Sequence, residues 1–103
     1  MEKHKAHYSL DEIKRFLQAD CYRFTMSAQK TIQNELGLTE DDAIDVILQL
    51  QPRDLYKSMT SLHDHTLWQD VYKPNWEDET LYIKLQILDD STIVISFKRA
   101  EDW

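Results

Sequence analysis

Two stretches near the C-terminal end, residues 81–88 and 92–98, alternate apolar and polar side chains with a period of two, the pattern of a strand with one buried face. Leu81, Ile83, Leu85 and Ile87 fall on one side, with Tyr82, Lys84 and Gln86 on the other. Ile93, Ile95 and Phe97 likewise share a side, opposed by Thr92, Val94, Ser96 and Lys98. For both apolar rows to meet one core, the register must preserve parity, and a three-residue turn, Asp89-Asp90-Ser91, does so. That register sets Ile83 opposite Phe97 and Tyr82 opposite Lys98. Directly opposed Cβ atoms stand roughly 4.5–5.5 Å apart, so a phenol and an ammonium are expected side by side on the face turned away from the core. Residues 55–59 and 68–73, rich in β-branched and aromatic side chains, are expected to add two further strands.

The first half has helical spacing instead. Ser9 and Glu12 are placed as a capping box ahead of Leu10, Ile13, Phe16 and Leu17, which predicts a helix to about Ala19. A second helix is expected from Thr25 or Ser27 to Glu35-Leu36-Gly37, where the chain's one glycine stands at a left-handed C′ position. Thr39 opens a third, with acids in its first turn and a stripe of Ala43, Ile44, Val46, Ile47 and Leu50, stopped by Pro52. Helices followed by an antiparallel sheet predict an α+β layer fold: about three helices in residues 9–51, packed on a small antiparallel sheet formed mainly by residues 54–99. At 103 residues the chain is expected to be one domain, 1–103.

Composition narrows the function classes. No run of eighteen apolar residues occurs, and the first twenty residues mix charged with apolar positions, so neither membrane spanning nor export is expected and cytoplasm is the default. The single cysteine, Cys21, excludes an internal disulfide and a zinc knuckle. Net charge is −7, shared between the halves: residues 1–52 carry six basic and nine acidic side chains, residues 53–103 six and ten. A field of this sign opposes non-specific nucleic-acid binding, so any such chemistry must be local. One glycine rules out a Gly-rich phosphate loop, and no nucleophile–histidine–acid arrangement stands out.

Three clusters remain. His63-Asp64-His65 has zinc-compatible donor types but no third ligand nearby, and a polar loop is the better account; His4 and His7 are expected to be surface histidines in a mobile terminus. Residues 68–74, with Trp68, Gln69 and Tyr72, fit either an edge strand ended by Pro74 or a platform for stacking on unpaired bases. Lys57, Lys84 and Lys98 fit either solvated charges or cations that hold a phosphate, with Tyr82 as a proton carrier beside them.

The second half also resembles a known family. Leu55-Tyr56-Lys57-Ser58-Met59-Thr60, then residues 64–74 with Trp68-Gln69-Asp70-Val71-Tyr72-Lys73-Pro74, and the terminal Leu81-Tyr82-Ile83-Lys84 and Ser96-Phe97-Lys98 are similar to the motility quorum-sensing regulator (MqsR) toxins, bacterial mRNA interferases. The first half matches more thinly, through Met1-Glu2-Lys3, His7, Leu10, Lys14 and Glu35-Leu36-Gly37-Leu38. The resemblance implies a RelE-like fold and a metal-independent, cofactor-free endoribonuclease, the toxin of a type II toxin–antitoxin pair. Such toxins cut single-stranded mRNA without the ribosome, at GC-containing triplets, and inhibit translation.

The resemblance further implies catalytic roles for Lys57, Gln69, Tyr82 and Lys98, and RNA contacts from Tyr56, His65, Trp68, Tyr72, Lys73 and Lys84. The implied partner is an antitoxin of MqsA type, with a zinc-binding N-terminal domain and a helix-turn-helix domain that contacts operator DNA. Tyr and Lys start near pKa ~10, so cations beside Tyr82 are expected to stabilise its phenolate and to depress a neighbouring lysine. His65, in the matched motif, is the fallback proton carrier. An alternative is a catalytically weak member of the same fold that regulates an operon through its antitoxin; a third is a single-strand binding module built on Trp68, Tyr72 and Trp76.

Overall fold

The computed structural model describes residues 1–100. It is an α+β fold of three helices on a mostly antiparallel seven-stranded sheet. The helices are α1 (Leu10–Gln18), α2 (Met26–Lys30), which runs on through a π-helical turn at Thr31–Glu35, and α3 (Glu40–Leu48). The strands are β1 (Glu2–Lys3), β2 (Tyr22–Phe24), β3 (Leu55–Thr60), β4 (Trp68–Tyr72), β5 (Asn75–Trp76), β6 (Glu79–Leu88) and β7 (Ser91–Arg99). Their order is β1-β3-β4-β6-β7-β2, with β5 folded back on β6. Among the described residues no helix is long and apolar enough to cross a membrane.

Local chemistry sets the helix ends. The Ser9 hydroxyl accepts from the Glu12 amide, and Thr39 and Asp42 form a reciprocal capping box, each side chain taking the other's backbone N–H. Gly37 has φ +65, the left-handed residue that closes the π-helical turn. Thr25 caps α2. On α1, the Lys14 ammonium donates to the Leu50 carbonyl just beyond α3 and ties the two helices together. Pro52 lies further on than the end of α3 and starts a 3₁₀ turn, Pro52–Asp54.

Ile13, Leu17, Ala28, Ile32, Ala43 and Ile47 from the helices, with Leu50 just beyond α3, meet Tyr72, Leu81, Ile83, Leu85, Val94 and Phe97 from the sheet in one core. Each large side chain fully buried here contributes roughly 1.5–3 kcal/mol against exposure. Ile44 and Val46 are only partly buried at its margin.

The β6–β7 hairpin departs from the sequence expectation in an instructive way. Tyr82 opposes Lys98 and Ile83 opposes Phe97, as the alternation predicts. The turn, however, is two residues long: Leu88 pairs with Ser91, and Asp89 and Asp90 have φ 51 and 56, the mirror-image geometry that suits a twisted hairpin. The residue thus removed from the turn reappears as a β-bulge, because Lys84 pairs with Ser96 while Leu85 pairs with Val94. Sidedness switches there. Val94, not Ile93 or Ile95, joins the core, while Ile93 pairs with Gln86.

A second bulge lies in β3, where Leu55 pairs with Tyr72 but Lys57 with Val71, which leaves Tyr56 as the extra residue. Two N-terminal strands also extend the sheet at its edges: β1 pairs antiparallel with β3, and β2 runs parallel to β7. The sheet is therefore not the property of the C-terminal half alone.

Candidate active site

Alternation and register assign one face of the sheet to the core and leave the other without a helix. Across that open face run two rows of directly paired residues. Lys57, Val71, Lys84 and Ser96 form one, and Tyr82 with Lys98 begins the next. Both outer lysines owe their side to a bulge. Were Tyr56 paired in a regular ladder, Lys57 would share a side with core-packed Leu55, and were Ile95 so paired, Lys98 would share a side with core-buried Val94. The Ile95 carbonyl, freed from the ladder, accepts the Thr25 hydroxyl at 2.8 Å, so the residue that caps α2 also holds this bulge.

The result is a small positive island around one phenol. The Lys98 and Lys84 ammonium groups lie 5.2 Å and 5.8 Å from the Tyr82 ring centroid. Lys57 is near enough for its charge to act on Tyr82. Val71, between Lys57 and Lys84, has no exposed surface. Tyr56, 46% exposed, flanks the island with the Lys73 ammonium 3.8 Å over its ring. Gln69 lies on the adjoining row, its side-chain Nε2 donating to Oε1 of Gln86 at 3.2 Å.

The electrostatics differ from the sequence expectation. Burial pushes the Tyr82 phenol above its ordinary value; nearby Lys57 pulls the other way, and Tyr56 and Glu2 push it further up. Desolvation wins, so the phenol stays protonated near neutrality. The depressed lysine is Lys84, lowered by burial first and then by the like charges of Lys98 and Lys57. Lys57 moves up instead, because it donates to the Glu2 carboxylate at 2.6 Å.

Other expected residues do not join the island. Tyr72 points into the core, 1% exposed, with its hydroxyl pushed up to about 12 by burial and then by Asp70 and Asp54, so it offers no stacking surface. Trp68 shares the Asp70 side of β4 and is already covered: the His7 ring stacks on it at 5.3 Å and the Lys3 ammonium sits 4.2 Å from a ring centroid. His65 stands exposed in the loop between β3 and β4, outside the strands that carry the lysines. In that loop Asp64 accepts from the Thr66 amide and hydroxyl, which accounts for its carboxylate locally. Trp76, named with Trp68 and Tyr72 as a platform, packs against the helix side of the molecule.

The N-terminal segment is the feature the sequence did not announce. Expected to be mobile, it is a strap pinned at both ends. Met1 exchanges bonds with Thr60, through its carbonyl at 3.0 Å and its ammonium at 3.2 Å, and Glu2 pairs with Met59. At the other end the amides of His7 and Tyr8 donate to the buried Asp70 carboxylate, which also takes the Ser58 hydroxyl at 2.6 Å. A two-residue strand is too short for periodicity to reveal, and Met1-Glu2-Lys3 in the family resemblance was the only signal for it.

Comparison with known proteins gives the family. The family model described as "Motility quorum-sensing regulator, toxin of MqsA" matches residues 5–99. The chain is also 41% identical over 98 residues, 95% of this chain and 98% of the other, to the mRNA interferase toxin MqsR of Escherichia coli (strain K12). With a lysine-ringed phenol on the open face and a match across nearly its whole length, the chain belongs to the motility quorum-sensing regulator toxin family.

Proposed function

We propose that this chain, a toxin by family and an endoribonuclease by class, cleaves single-stranded mRNA on the open face of its sheet, without the ribosome and at GC-containing triplets. The observation that carries the reading is the gathering of Lys57, Lys84 and Lys98 around Tyr82 in a chain of net charge −7. Strand cleavage at a ribose needs three things. The 2′-hydroxyl must lose a proton, the charge that builds on phosphorus must be neutralised, and the departing 5′-oxygen must gain a proton. Lys57 and Lys98 hold the phosphate, Lys84 adds charge beneath it, and Gln69 orients a phosphate oxygen or a base. Tyr82, kept protonated by burial, is suited to the leaving oxygen. Tyr56 and Lys73, at the margin of the island, receive the neighbouring nucleotide.

The partners follow from the same reading: mRNA as substrate in the bacterial cytoplasm, and a neutralising antitoxin of MqsA type, with a zinc-binding N-terminal domain and a helix-turn-helix domain. Operator DNA is reached only through that antitoxin. Single-turnover cleavage of a short RNA by Tyr82→Phe and Lys98→Ala tests the site. Each is expected to slow cleavage a hundredfold or more, and a loss under about tenfold for both, roughly 1.4 kcal/mol of barrier, removes them from the mechanism.

A further inference from the structure

The island supplies cations and a protonated phenol but not a group ready to accept the 2′-hydroxyl proton, and the strap brings one. We infer that Glu2 is the general base of the cleavage reaction, presented to the phosphate site by β1 through its pairing with Lys57. This deepens the ribonuclease reading above and rests on it.

Position is the first argument. Of the two ion pairs among the described residues, Glu2–Lys57 is the one inside the island, with Oε1 2.6 Å from Nζ; the other, Arg99–Glu79, lies elsewhere. An ammonium has three N–H bonds, so Lys57 can hold Glu2 with one and a phosphate oxygen with another. That places the carboxylate one ammonium away from the phosphate, where the adjacent 2′-oxygen must lie for attack. The Glu2 backbone is fixed between the Met1–Thr60 bonds on one side and the strap's anchorage at Asp70 on the other. At 54% exposure its side chain remains open to a substrate.

Complementarity with Tyr82 is the second argument. Glu2 is held below the usual carboxylate range, first by its hydrogen bond to Lys57 and then by that charge, with Met1 ammonium and His4 adding to it, so it is ionised at neutral pH. Tyr82 is displaced upward and Glu2 contributes to that, so the two groups feel each other across the lysines. One site thus has an ionised carboxylate at one end and a neutral phenol at the other, the division of labour an acid–base pair requires.

The step balances without a co-reactant. The 2′-hydroxyl gives its proton to Glu2, the O2′–P bond forms, the P–O5′ bond breaks, and the 5′-oxygen takes the Tyr82 proton. The products are a 2′,3′-cyclic phosphate and a 5′-hydroxyl, and water returns the proton from Glu2 to Tyr82.

The experiment compares wild type, Glu2→Gln, Glu2→Asp and, as a charge control, Asp89→Asn. Single-turnover cleavage is measured on a labelled RNA carrying several GC triplets, and binding is measured on the all-deoxy version of the same oligonucleotide. Expected are a loss of a hundredfold or more in Glu2→Gln with deoxy-oligonucleotide binding equal or tighter, at least tenfold recovery in Glu2→Asp, and Asp89→Asn within twofold of wild type. A Glu2→Gln enzyme within tenfold of wild type, or faster than it, overturns the proposal, the latter making Glu2 a cover over Lys57. Failure of Glu2→Asp to exceed Glu2→Gln overturns it as well. Wild type that cuts no RNA overturns the ribonuclease reading itself, which separates the two failures.

Discussion

The two faces of this sheet are built from the same strands and obey opposite rules. On the covered face, Leu81, Ile83, Leu85, Val94 and Phe97 lie against three helices, and buried Asp70 and Thr92 have their bonds supplied from the N-terminal strap, Ser58 and the Ile13 carbonyl. On the open face, like charges converge on a half-buried phenol, and Lys84 is held in an environment that disfavours its charge. One face is consistent at every level; the other tolerates electrostatic conflict. Conflict of that kind is expected where chemistry, not stability, selected the residues. Neighbours in sequence can therefore belong to different regimes, as Phe97 and Lys98 do.

The largest test of this division is Phe97→Ala, expected to lower unfolding free energy by about 3–5 kcal/mol in urea melts while cleavage per folded molecule stays within threefold. A stable Phe97→Ala protein with lost cleavage would break the division of faces. Next is Asp70→Ala, which leaves the amides of His7 and Tyr8 and the Ser58 hydroxyl without their acceptor. About 3 kcal/mol of destabilisation is expected, with fast hydrogen exchange at those two amides. Thr25→Val removes both the cap of α2 and the partner of the Ile95 carbonyl, and a loss of about 1–2 kcal/mol in the same melts is expected.

Smaller effects of opposite sign are expected from the open face. The folded pKa of Lys84 is depressed, so its charged form weighs against folding at neutral pH. Stability then rises as pH climbs from that depressed value to the unfolded one. Lys84→Met is expected to raise the melting temperature slightly at pH 7 and to flatten this alkaline rise, while slowing cleavage. The smallest effect is at Asp42, whose carboxyl is lowered by the Thr39 amide. Its contribution is present above the ordinary carboxylate pKa and is lost as pH falls through the folded value. Asp42→Asn should narrow the difference in melting temperature between pH 7 and pH 3.

Much of this was legible because local chemistry wrote it. Ser9, Thr39 and Gly37 mark helix ends through their own side chains or lack of one, and the alternation of residues 81–88 fixes which of them face the core. The Tyr82–Lys98 pair followed from parity alone. The bulges were not legible, since neither Tyr56 nor Ile95 is a glycine or proline that would flag a break in the ladder. The turn misled for a related reason: Asp89 and Asp90 adopt positive φ without the usual glycine, and a three-residue loop preserved parity equally well on paper. At the site, Trp68 and Tyr72 were grouped with Gln69 by chemistry, although adjacent strand residues point to opposite sides. The burial of Tyr82 is tertiary, and with it the direction of its pKa.

The bulge at Ile95 separates the side a residue takes from its place in the count. Pair that residue into a regular ladder with the chain unaltered, and Val94 and Lys98, four positions apart, must occupy the same side. Either valine is then turned out to water or the lysine is driven under the helices. Excising Ile95 has the opposite outcome: Val94 would precede Ser96 directly, the pairings Leu85–Val94 and Lys84–Ser96 would be met without a bulge, and every neighbour would keep its side. What a single-codon deletion here takes away is the carbonyl that holds Thr25, so the spare residue ties the strand to a helix cap while leaving inside and outside where they were.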